Sequence, residues 1–124
     1  MAIRADQAEH DVLVKKAVDL LADKGCENIK ADLADYEKPK KIVWQSTGEG
    51  FFPDVTVSEE ELRIFEIETA DSIDDEHTAE VWKLFSSYAE INDALFYVVF
   101  PKGSVEKVKK RIKELDVDVC LWEI

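Results

Sequence analysis

The sequence predicts an α/β fold with elements in the order α-β-β-β-β-α-β-α-β, and three observations carry that expectation. Apolar residues recur at helical spacing in three segments, near the start, the middle and the end of the chain. Short β-branched and aromatic runs, bounded by Gly, Pro or acidic turns, fill the intervals. One of them, Ala94 to Phe100, is a continuous apolar run of strand length, which suits the middle of a sheet covered on both faces.

From Asp6 to Lys24, Leu13, Val14, Ala17, Val18, Leu20 and Leu21 mark one face of a helix, and Lys24-Gly25 supplies a cation and a glycine at its end. Cys26 to Leu33 reads as a strand, followed by a charged connector, Ala34 to Lys41, that Pro39 keeps irregular. Ile42 to Gln45 is a second short strand. Gly48-Glu49-Gly50 marks a tight connection into a third, Phe51 to Val57, and Leu62 to Thr69 is a fourth. Ala70 to Glu76 offers N-caps and acids suited to a helix start, and Val81, Trp82, Leu84, Phe85, Tyr88 and Ile91 follow on one helical stripe. After Ala94 to Phe100, Pro101-Lys102-Gly103-Ser104 caps a helix from Val105 to Leu115, apolar at Val105, Val108, Ile112 and Leu115. Val117 to Ile124 is the closing strand.

With 124 residues and 46% hydrophobic content, the chain suits one domain spanning 1–124. No apolar run approaches the roughly 20 residues that cross a bilayer, and the N-terminus turns polar at once. A cytoplasmic address with no membrane partner is therefore expected. Cys26 and Cys120 read as reduced, mostly buried thiols. The net charge of −12 speaks against affinity built on phosphate neutralisation, but the charge is uneven. Glu49 to Glu80 holds twelve acids and only Arg63 as a base, whereas Lys102 to Lys113 holds six bases and only Glu106 as an acid. The oligomeric state is not fixed by the sequence.

The acids of two strands pose the functional question. Alternation places Leu62, Ile64, Glu66 and Glu68 on one face and Arg63, Phe65, Ile67 and Thr69 on the other. A three-residue turn at Glu59-Glu60-Glu61 sets Asp54 opposite Glu66 and gathers Val55, Val57, Phe65 and Ile67 on one apolar face; an even turn leaves Asp54 opposite Phe65. The odd register gives the better core. A helical turn at Ser58-Glu59-Glu60-Glu61, which fits a capping box, would undo it. Like charges so close need a cation or raised pKa values, and a divalent ion on oxygen ligands answers that need. A solvated acidic edge without function satisfies the same spacing.

The helix-then-strands opening, Pro53-Asp54 and Glu66-Ile67-Glu68 resemble the PD-(D/E)XK nuclease superfamily, which includes restriction endonucleases and archaeal Holliday-junction resolvases. The resemblance implies a restriction endonuclease-like fold, a central mixed sheet flanked by helices. It also implies Mg²⁺- or Mn²⁺-dependent hydrolysis of DNA or RNA. Carried over, Asp54, Glu66 and Glu68 would be the catalytic residues, with Asp54 and Glu66 as metal ligands. Glu68 stands where the family usually has lysine, as it does in some restriction endonucleases. In resolvase-like members a glutamate of the first helix joins the site, and Glu9 is the match; a solvated acid favourable to the helix dipole explains Glu9 equally well. His10 points into the apolar face as a satisfied, partly buried histidine. Lys83, a substitute for the missing lysine, falls on the polar side of its helix with Glu80, Ser87 and Glu90. Trp82, Tyr88, Trp44 and Trp122 are expected in the core, and the lysines from Lys102 to Lys113 on a solvated face. A fold relative that no longer cleaves and binds a basic protein partner through its acidic segment is the alternative.

Overall fold

A computed structural model describes residues 7–124. α1 (Gln7–Asp23) buries His10, Leu13, Val14, Ala17, Val18 and Leu21, the face that periodicity predicts. The start expected at Asp6 lies outside the described residues. The next elements are β1 (Ile29–Ala31), β2 (Ile42–Val43), β3 (Gly50–Phe51), β4 (Val55–Ser58) and β5 (Leu62–Ile67). They are followed by α2 (Glu76–Asn92), β6 (Leu95–Phe100), α3 (Val105–Leu115) and β7 (Cys120–Glu123).

Five strands form one mixed sheet in the order β1-β4-β5-β6-β7. β1, β4 and β5 are an antiparallel meander, while β6 and β7 run parallel to β5. Parallel neighbours need long crossovers, and α2 and α3 supply them. Each face of the sheet has its own apolar cluster. Val55, Val57, Phe65, Ile67 and Val99 pack with Leu13, Val14, Ala17, Val18 and Leu21 of α1. On the opposite side Ile64, Phe96, Val98 and Phe100 pack with Val81, Trp82, Leu84 and Phe85 of α2 and Val108 of α3. β6, the apolar run expected inside a doubly covered sheet, contributes to both.

Three expectations need correction. The strand expected from Phe51 to Val57 is two strands: Phe51 pairs with Ile42 in a separate hairpin of β2 and β3, whereas Val55 pairs with Phe65 in the main sheet. Pro53 causes the break, because it lacks the N–H that a continuous ladder needs. The order is therefore α-β-β-β-β-β-α-β-α-β. Trp44, expected in a core strand, lies beyond β2 and is 38% exposed. Its N–H donates to Glu49 O and its carbonyl accepts from Gly48, which closes a turn and carries the ring outward. Ile91, expected on the buried stripe, is 78% exposed near the end of α2.

Candidate functional site

The turn between β4 and β5 sets the site. Ser58 stands opposite Leu62 across Glu59-Glu60-Glu61, Val57 opposite Arg63, Thr56 opposite Ile64 and Val55 opposite Phe65. This is the odd register, and no helical turn intervenes. One residue beyond the ladder, Asp54 comes level with Glu66, and both are buried, at 5% and 3% exposure.

The two acids hold each other's strands. Asp54 N–H donates to Glu66 Oε1 at 3.0 Å, and Ile67 N–H donates to Asp54 Oδ2 at 2.9 Å. The Asp54 carbonyl accepts from Asp32 N–H at 2.9 Å, which ties the pair to the segment after β1. Buried hydrogen bonds of this kind stabilise the ends of both strands. His10 enters from the first turns of α1. Its side chain is 5% exposed, and Nε2 lies 3.2 Å from Asp54 Oδ2 without the alignment of a hydrogen bond. The ring is buried as expected, but its Nε2 is not satisfied by a hydrogen bond among the described residues and is aimed at the carboxylate pair.

Glu68 has a different setting. It is 1% exposed, and its Oε1 accepts from Ser72 Oγ at 2.6 Å while Oε2 accepts from Trp82 Nε1 at 3.0 Å. Ser72 is fixed in turn, accepting from Thr69 N–H, and its carbonyl accepts from Thr78 Oγ1. Lys107 and Arg111 of α3 hold the same turn by donating to the carbonyls of Ala70, Asp74 and Asp75. The basic helix thus spends part of its charge on organising the segment that receives Glu68. Ser72 and Trp82 were not among the expected site residues. The signal for Trp82 was present, because a buried indole N–H needs an acceptor.

Glu9 is exposed on the first turn of α1, one residue from His10. Lys83 is exposed on α2. Arg63 turns away from Glu66, donating to Glu59 Oε1 and Cys26 Sγ. Partial burial works against its charge, but Cys26 and Glu59 lift its pKa overall. Burial, with Asp118 and Glu61 nearby, pushes the Cys120 thiol up, and burial followed by Cys120 does the same to Tyr97. Neither group is primed as a nucleophile at neutral pH.

Asp54 and Glu66 supply hard oxygen donors of the kind that Mg²⁺ and Mn²⁺ take. Among the described residues no group of three or more His, Cys, Asp or Glu side chains is arranged to hold an ion. An open depression of about 540 Å³ lies at the opposite end of β5, lined by Glu60, Glu61, Leu62, Asn92 and Asp93. No helix among these residues is long and apolar enough to cross a membrane. No family model matches the chain, and no curated protein or solved structure matches it either.

Proposed function

We propose that the chain is a PD-(D/E)XK-type, restriction endonuclease-like domain whose Asp54–Glu66 pair serves metal-dependent phosphodiester hydrolysis of nucleic acid. One observation carries this: the β4–β5 register brings Asp54 level with Glu66 in buried surroundings, with each side chain fixed by a backbone N–H. A mixed sheet with α1 on one face and α2 and α3 on the other supports the same reading.

Asp54 and Glu66 would hold Mg²⁺ or Mn²⁺, with Glu9 as a third donor from α1. The bound ion would polarise a phosphoryl oxygen and make its bound water acidic. The chain's own part is orientation. Ile67 N–H fixes the Asp54 carboxylate, Asp54 N–H fixes Glu66, and the apolar packing on both sheet faces holds the two strands in register. Activity is expected to be weak or partner-dependent, because Glu68 replaces the usual lysine and is committed to Ser72 and Trp82.

That commitment also favours a second reading, a fold relative that does not cleave and serves as an acidic interaction module for a basic protein. A calorimetric Mn²⁺ titration separates the two, with Asp54→Asn and Glu66→Gln as isosteric controls. The nuclease reading expects saturable binding that both variants lose, together with Mn²⁺-dependent hydrolysis that Glu66→Gln abolishes. No binding in the wild type, or hydrolysis that Glu66→Gln leaves at the wild-type rate, overturns it.

A further inference from the structure

We infer that the β2–β3 hairpin is a platform for unpaired bases, which makes single-stranded nucleic acid the class of substrate that the neighbouring Asp54–Glu66 pair receives. This deepens the nuclease reading and rests on it for the choice of ligand. The hairpin stands apart from the main sheet. It is anchored on one side only: Ile42 is buried, and the Phe51 ring packs edge-on against His77 of α2 with centroids 4.9 Å apart. Phe52 is 60%, Val43 38% and Trp44 38% exposed. Among the described residues, Val43, Trp44 and Phe52 are three of the six exposed large hydrophobic side chains, so exposed apolar surface is concentrated here.

The charge beside these rings is the reverse of the molecule's. Between Lys38 and Gly48 there are three lysines and no acid, in a chain of net charge −12, although Glu37 and Glu49 flank the segment. Lys38 is engaged with Asp32 at 3.3 Å, while Lys40 and Lys41 are exposed. Lys41 Nζ lies 6.0 Å from the Phe52 ring centroid. Aromatic faces beside lysines suit single strands, whose bases stack on rings of any kind while ammonium groups meet the phosphates. Duplex bases already stack on one another and offer no free face. The platform is also continuous with the carboxylates, because Phe52 stands two residues before Asp54, at most about 7 Å along an extended backbone. Gly50 makes the hairpin this tight: a Cβ there would lie 1.9 Å from Ile42 O.

The test is fluorescence anisotropy of a labelled oligothymidylate with the full chain, in EDTA and at low salt, so that binding is read without a metal or cleavage. The wild type is expected to bind saturably and to prefer the single strand to the matching duplex. Trp44→Ala and Phe52→Ala should each weaken binding by about tenfold. Phe52→Leu, which keeps the apolar bulk without the ring, should weaken it similarly. Lys40→Ser with Lys41→Ser should flatten the dependence of log K on log salt by about 0.7 per lysine. Because this readout is taken in EDTA and the Mn²⁺ titration is taken without oligonucleotide, failure of the carboxylate pair and failure of the hairpin are read separately. Wild-type binding in Trp44→Ala and Phe52→Ala, or no binding in the wild type, overturns the inference. So does self-association on sedimentation that Phe52→Ala abolishes, which would assign the patch to a second copy.

Discussion

Glu68 is buried, and among the described residues two side chains donate to it. Ser72 Oγ and Trp82 Nε1 each occupy one carboxylate oxygen, and both come from the chain that follows the strand. Removing a donor from a buried carboxylate costs stability, because the lost hydrogen bond is not replaced by water. Trp82→Phe should therefore lower stability by about 1–3 kcal/mol in urea unfolding, from the lost donor together with the smaller ring. No loss would mean that Oε2 finds a substitute donor. Asp54 and Glu66 were legible as a pair, because only the odd register gathers Val55, Val57, Phe65 and Ile67 on one apolar face. The fate of Glu68 was not. Its indole partner is fourteen residues away, and only the docking of α2 brings the two together.

The helices were the legible elements, and α3 falls on Val105–Leu115 as its periodicity predicts. Both crossover helices end on an acid in the left-handed region, Asp93 with φ 56 and Asp116 with φ 53. An acid at a helix C-terminus opposes the dipole, and a side chain there adds backbone strain that glycine avoids. Asp116→Gly is expected to raise stability by about 0.5–1 kcal/mol, seen as a higher urea midpoint at unchanged slope. A lower midpoint would mean that the aspartate has a role beyond capping. The strands were legible in kind but not in extent. Phe51 to Val57 has the composition of one strand, yet Pro53 divides it between two sheets, and Trp44 follows the hairpin turn into solvent.

Across the whole molecule, charge is the dominant global property. A net charge of −12 on 124 residues is self-repelling, and twelve of the acids fall between Glu49 and Glu80. Sodium chloride screens such repulsion, with a Debye length of about 10 Å at 0.1 M and about 3 Å at 1 M. The melting temperature is therefore expected to rise by a few degrees between low salt and about 0.5 M NaCl. A fall would show that local pairs such as Lys107–Asp74 outweigh the global field. The six bases between Lys102 and Lys113 looked like a solvated face in the sequence. Its five lysines are exposed, and Lys107 and Arg111 also reach the carbonyls of the turn before α2.

Periodicity and alternation are properties of neighbouring residues, so the chain alone determined its helices, the apolar β6 and the register that faces Asp54 with Glu66. Long-range packing decided the rest: the separate hairpin with its exposed rings, the approach of His10 to Asp54, and the burial of Glu68 under Ser72 and Trp82. The physical reason is that a side chain's hydrogen-bond partner and its exposure depend on which distant elements close over it. Spacing along the chain cannot encode that closure.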